Sequence, residues 1–209
     1  MRVFHFLNSE FGMKDLHERR IKIARIMELN DPFEFLGVDL SNASQRVALK
    51  KTKRSVSKNA GLLCFSKNWR NPVLWGHYAD KHRGMCLGFD VPDLVLEQVR
   101  YVNSRFAWPA EVDENFTRNL LFTKFAHWSY EDEYRAYVSL QTAEDGIYYA
   151  PFSPELILRQ VIVGAESTVT RAEIKAALGA HYLSIEVFKA RAAFKAFRVV
   201  RNQNTKLWT

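Results

Sequence analysis

Two cysteines in 209 residues leave little room for disulfide or thiolate chemistry. Cys64 and Cys86 form no CxxC pair, which excludes a zinc site built on paired thiolates. Both lie in apolar runs, so buried free thiols of a reducing cytoplasm are expected. No apolar stretch approaches the ~18 residues of a membrane span. The opening MRVFHFL is too short for a secretory signal and runs straight into polar residues. There is no GxxxxGKS/T or GxGxxG loop, no GxSxG elbow and no HExxH pair. These absences remove P-loop, dinucleotide-fold, serine-hydrolase and helical zinc-protease chemistry. The expectation is a soluble, cytoplasmic protein with no membrane partner and no bound metal.

Positive charge is plentiful, with a formal net charge of +7. Its sources are local: Lys50-Lys51-Thr52-Lys53-Arg54 with Lys58, and a later stretch with Lys189, Arg191, Lys195, Arg198 and Arg201. Such a balance raises the prospect of an anionic partner, nucleic acid or a phosphorylated cofactor, but the charges are dispersed and no arginine-rich tract appears, so a solvated basic face is the preferred reading. Aromatics are also abundant, with 15 Phe, 8 Tyr and 5 Trp. That supply fills a core and leaves rings to spare for stacking.

No repeat, low-complexity tract or linker breaks the chain, so one domain over residues 1–209 is expected. Residues 2–7, 61–66, 84–89, 133–140, 147–152 and 157–163 read as strands, with 21–26 alternating at period two. Residues 10–19, 44–57, 72–79 and 112–125 read as helices, the third opened by Pro72. Thr170 with Glu173 three residues on opens a capped helix over 170–180. Residues 184–190 and 194–200 read as a closing strand pair. Strands outnumber long helices and are not regularly interleaved with them. The fold class is therefore α+β, a mixed or antiparallel split sheet with flanking helices.

Three constellations carry chemistry. Asn30-Asp31-Pro32-Phe33-Glu34 is either a plain turn or a loop whose carboxylates line a cleft. The stretch from Asn71 to Asp90 sets Leu74, Trp75 and Tyr78 on one helical side, followed by Asp80, His82 and Arg83. His77 and His82, five apart, do not share a helical face, so a metal site there is disfavoured. The third, WSYEDEYR at 128–135 after Lys124, places Glu131, Glu133 and Arg135 on one face if extended. Like charges on one face repel unless paired or used. Either Arg135 neutralises them on a solvated face, or Glu-x-Glu is a catalytic strand.

These motifs resemble the bacterial and phage family called domain of unknown function 2971. Its marks are an apolar-His-apolar strand, NDPFE, LWxHYA, GxCLGFD and WxYExExR. Here they read Phe4-His5-Phe6, Asn30 to Glu34, Leu74 to Ala79, Gly84 to Asp90 and Trp128 to Arg135. The order of elements is more loosely similar to ADP-ribosyltransferases. There a first strand supplies His or Arg, a second Ser or Tyr and a third Glu, often as Glu-x-Glu.

That resemblance implies an ADP-ribosyltransferase-like fold and NAD as substrate. Glu133 would stabilise the oxocarbenium-like centre formed as nicotinamide leaves, and Glu131 would orient or deprotonate the acceptor. His5 and Ser66 would bind ribose, Tyr78 or Trp75 would stack on nicotinamide, and Arg135 or Arg83 would meet the pyrophosphate. It implies a toxin or phage–host conflict protein with a nucleic-acid or protein acceptor. Two other readings stand beside it. One is a Mg²⁺-dependent nuclease using Asp31, Glu34, Glu131 and Glu133. The other is a non-catalytic nucleic-acid-binding module built on the basic helix near residue 50.

Overall fold

A computed structural model describes residues 1–208. Among these residues lie five α-helices: α1 (Ser9–Glu18), α2 (Ala43–Asn59), α3 (Pro72–Tyr78), α4 (Glu114–Leu121) and α5 (Arg171–Leu178). The strands are β1 (Arg2–Leu7), β2 (Arg20–Ile23), β3 (Ala60–Ser66), β4 (Met85–Asp90), β5 (Glu97–Gln98) and β6 (Arg100–Val102). They continue with β7 (Thr123–Phe125), β8 (Glu133–Ser139), β9 (Tyr148–Pro151), β10 (Ile157–Val163), β11 (Glu186–Ala192) and β12 (Val199–Arg201). Each helix opens on a side-chain cap. Asn8, Asn42, Asn71 and Asp113 accept from Phe11, Ser44, Val73 and Phe116, and Thr170 and Glu173 form a capping box. These caps satisfy amide groups that a helix start leaves without partners.

The protein is mixed α and β. Hydrogen-bonded strands follow the order β12-β11-β10-β4-β1-β3-β8-β5, mostly antiparallel with β10–β11 parallel. The chain divides into two compact units, one of residues 1–21, 65–92 and 150–208, the other of 22–64 and 93–149.

In the first unit, β1 runs antiparallel to β4 from Arg2 opposite Asp90 to Leu7 opposite Met85. β10 flanks β4 on its other side, with an irregularity between Leu158 and Gln160. Met85 to Phe89 of β4 are apolar and all buried, as expected for a strand covered on both faces, and both edges of the strand are paired. Phe4, Trp75, Cys86, Ile162 and Phe188 share one core cluster. Burying each large apolar side chain contributes about 1.5–3 kcal/mol. In the second unit, Ile26, Phe35, Leu49, Leu62, Phe116 and Leu120 belong to another cluster, which joins α2, α4 and β3.

Three local expectations give way to tertiary pairing. The helix expected over 112–125 stops at Leu121, and Thr123–Phe125 becomes β7, parallel to β6 with Arg100 opposite Thr123. The alternation over 21–26 ends as a strand at Ile23, and Ile26–Glu28 turns into a 3-10 helix. Of the closing pair, the second strand is only Val199–Arg201, and residues 193–198 form the loop of a hairpin.

Candidate functional site

The second unit encloses a network of charged side chains contributed by four segments. β8 begins at Glu133, and the period-two rule puts Glu133 and Arg135 on one face. Glu131 is not on that strand. It ends a 3-10 helix (Ala126–Glu131), and Asp132, left-handed at φ 45°, turns the chain into β8. The Glu131–Glu133–Arg135 face expected from alternation is thus assembled by a turn. Glu34 arrives from the NDPFE turn, where the Asp31 carboxylate accepts from the Phe33 amide at 2.9 Å. Lys124 arrives from β7.

Arg135 is the hub. Its Nε donates to Glu133 at 2.7 Å, and one Nη donates to Glu34 at 3.1 Å and to the Leu121 carbonyl at 2.6 Å. The other Nη reaches Glu34 at 2.6 Å and Glu133 at 3.0 Å. Those five bonds use the full donor set of a guanidinium. Lys124 Nζ lies 2.5 Å from Glu131, 3.3 Å from Glu133 and 3.5 Å from Glu34. All five side chains are buried, so the solvated face with a neutralising Arg135 is replaced by a closed ionic cluster. Three carboxylates face two cations, an excess of one negative charge.

The electrostatics follow from that geometry. Burial opposes ionisation of Glu133. Arg135 and Lys124 outweigh it, helped by hydrogen bonds from Arg135 and the Cys64 thiol, and hold its pKa down at about 2. Burial likewise works against the Lys124 charge, but Glu133, Glu34 and Glu131 win and raise its pKa. Arg135 is pushed up against burial by Glu133 and Glu34. The Cys64 thiol is raised, first by burial and then by Glu133. The Tyr101 hydroxyl accepts from the Glu133 amide at 2.9 Å and is also raised, mainly by burial. At neutral pH Glu133, Lys124 and Arg135 are fixed charges, while Cys64 and Tyr101 stay protonated and neutral.

A cleft of about 290 Å³ opens on Lys124 in this unit, with Phe33, Asn103, Ser104, Arg105 and Phe125 among its walls. Lys124 therefore belongs both to the cluster and to the cleft. Near Glu34, Lys53 donates to its carbonyl at 2.7 Å. Asp31 is buried, and its Oδ2 has no hydrogen-bond partner among the described residues. No three His, Cys, Asp or Glu side chains among the described residues are grouped so as to hold a metal ion.

The remaining sequence candidates belong to the first unit. His5 on β1 meets Phe65 edge-on at 6.0 Å. Ser66 is buried, its hydroxyl donating to the Asn68 carbonyl at 3.3 Å and accepting from the Asn68 amide at 3.1 Å. Trp75 is fully buried, edge-on to Phe6, stacked beside His82 and donating to the Trp69 carbonyl at 2.6 Å. It has no face left for nicotinamide, so its place is in the core. Tyr78 lies beside His77 and lines an open concavity with Ser9 and Asp80. Arg83 pairs with Asp80 at 2.9 Å across three consecutive left-handed residues, Asp80, Lys81 and His82. Arg135, with every donor engaged, has none for a pyrophosphate.

The sequence reading missed the roles of Lys124, Tyr101 and Cys64. Lys124 carried a signal: it is the one cation in the apolar run LLFTKF at 120–125, and a lysine so placed is rarely buried without partners. Comparison of the chain with protein-family models, curated proteins and solved structures returns no match.

Proposed function

We propose that this protein binds nucleic acid through the exposed face of α2. The observation that carries this reading is the charge of that helix. Its 17 residues hold Arg46, Lys50, Lys51, Lys53, Arg54 and Lys58 and no carboxylate. Lys50, Lys51, Arg54 and Lys58 are exposed around one shallow surface with Val47 and Ser55. None of these four forms an ion pair among the described residues, whereas the cations of the buried cluster are fully matched. From Lys50 to Lys58 the row extends for about 12 Å, a length that meets several phosphates of a backbone. The chemistry is that of phosphate contacts, which position a nucleic acid without reading its sequence.

The test is fluorescence anisotropy with labelled oligonucleotides over a salt series. Binding should weaken steeply with salt, and K50E/R54E/K58E should lower the affinity about ten-fold or more and flatten the salt dependence. An affinity that the triple reversal leaves unchanged, or that ignores salt, sinks the reading.

A second reading, NAD-dependent ADP-ribosyl transfer, is favoured by one observation. Glu131 and Glu133 converge on the lysine that lines the 290 Å³ cleft. In this reading Lys124 and Arg105 take the pyrophosphate, and Glu133, relieved of Lys124, stabilises the oxocarbenium-like centre. Glu131 then orients the acceptor. NAD should raise the melting temperature while Mg²⁺ does not, and E133Q should lose NAD turnover while staying folded. A Mg²⁺ response without an NAD response would favour a nuclease instead.

A further inference from the structure

The hairpin between β11 and β12 carries a second surface, separate from α2. Its loop, Ala193-Phe194-Lys195-Ala196-Phe197-Arg198, is closed by the Ala193 amide donating to the Arg198 carbonyl at 2.9 Å. Phe194 is 89 % exposed and Phe197 is fully exposed. A loop tip gains nothing in stability from two bare phenyl rings, because neither takes its apolar surface out of water. The rings are not isolated from charge. The Arg191 guanidinium lies 4.1 Å from the Phe194 ring centre. A concavity of about 420 Å³ beside the loop is lined by Arg70, Arg191, Phe194, Lys195, Arg198 and Arg201. No Asp or Glu among the described residues lines it, and the sequence has none from residue 187 to 209. Among the described residues, Arg201 alone of these cations is paired with a carboxylate, Glu186 at 2.5 Å.

We infer that this loop is a stacking platform for single-stranded nucleic acid, with Phe194 and Phe197 receiving unpaired bases and Lys195, Arg198 and Arg70 meeting the phosphates. Exposed aromatic faces interleaved with cations are what a single strand requires, because every base offers a π-face and every linkage a negative charge. A duplex hides its base faces and makes only the phosphate contacts. The preponderance of arginine fits this partner better than a lipid surface, since its planar fork pairs with phosphate at two points and also stacks. The loop's apolar area, two phenyl rings and two alanines, is small for membrane insertion. The α2 reading concerns phosphates in any nucleic acid; this surface adds selectivity for unpaired bases.

The experiment compares a labelled oligothymidylate with a duplex of the same length, using the full chain. F194A/F197A should bind the single strand about ten-fold or more weakly and the duplex as before. F194W/F197W should restore or tighten single-strand binding. K50E/R54E/K58E should weaken both substrates, so failure of the α2 reading shows separately. Both rings are exposed, and an unchanged circular dichroism spectrum checks that the fold is kept. Unaltered single-strand affinity in F194A/F197A overturns the inference. So does the discovery that the same variant instead loses self-association in sedimentation, or binding to anionic phospholipid vesicles.

Discussion

Arg135 and Glu34, 101 positions apart in the chain, meet in a two-point ion pair with contacts of 2.6 and 3.1 Å, both side chains buried. The same guanidinium engages both oxygens of Glu133. One planar cation thus joins the NDPFE turn to the start of β8. Buried ion pairs recover little more than the cost of desolvating their charges, but losing one partner leaves the others stranded.

Removing the hub should therefore be severe. R135A should lower unfolding stability by about 3–5 kcal/mol, read by urea denaturation. R135K should recover only part of the loss, because an ammonium cannot make paired contacts to two carboxylates. A loss below about 1 kcal/mol in R135A would show the cluster to be energetically idle.

The cluster also sets a response to acid. The Glu133 pKa is about 2 in the folded chain, against an ordinary 4.5. A carboxyl depressed by folding contributes stability that is complete above the unfolded value and lost as pH falls through the folded one. The stability gap between the parent and E133Q should accordingly be widest at neutral pH and close between pH 4.5 and about 2. Urea midpoints across that range measure it, and a gap that stays constant would refute the assignment.

Asp15 titrates in the opposite sense. Burial foremost, with help from Glu18, raises its pKa to about 7 from an ordinary 3.8. The unfolded chain loses this proton first, so stability falls as pH rises from 3.8 to about 7. D15N should match the parent near pH 4 and exceed it in melting temperature at pH 8. Equal melting temperatures at both pH values would contradict this.

Two glycines in the first unit should respond with opposite signs. A Cβ on Gly164 would come within 2.1 Å of the His82 carbonyl oxygen, a backbone atom that cannot step aside. G164A should cost about 1–3 kcal/mol or more. Gly76 lies inside α3 with open space where its Cβ would stand, so G76A should gain up to about 1 kcal/mol from helix propensity. Thermal denaturation of the pair separates close approach from a general intolerance of alanine.

What could be read in advance was local. The Thr170–Glu173 capping box, Pro72 at a helix start and the apolar runs of β3, β4 and β10 all declare themselves within a few residues. What could not be read needed distant partners. Residues 123–125 have no strand signal stronger than their helical one until β6 lies beside them. Glu131 leaves the expected strand because Asp132 adopts a left-handed conformation, which aspartate tolerates but does not announce. The carboxylates of NDPFE and of the 128–135 segment were each visible, but nothing in their spacing says that Arg135 and Lys124 draw them together. The two compact units were hidden for a simpler reason. Three of their four boundaries fall inside β2, β3 and β9, between Ile21 and Lys22, Cys64 and Phe65, and Tyr149 and Ala150, and the fourth falls between Pro92 and Asp93 just after β4, and no linker composition marks them.

Those boundaries bear on the order in which the chain can become structured as it is made. The unit of residues 22–64 and 93–149 has all its parts once residue 149 has emerged. The other must wait for β10, β11 and β12, leaving the β4 edge, which in the finished protein pairs with β10, exposed throughout that interval. A nascent chain that has emerged as far as residue 149 would thus present one unit with all its parts and the other with an open apolar edge, the kind of edge that attracts chaperones or aggregation.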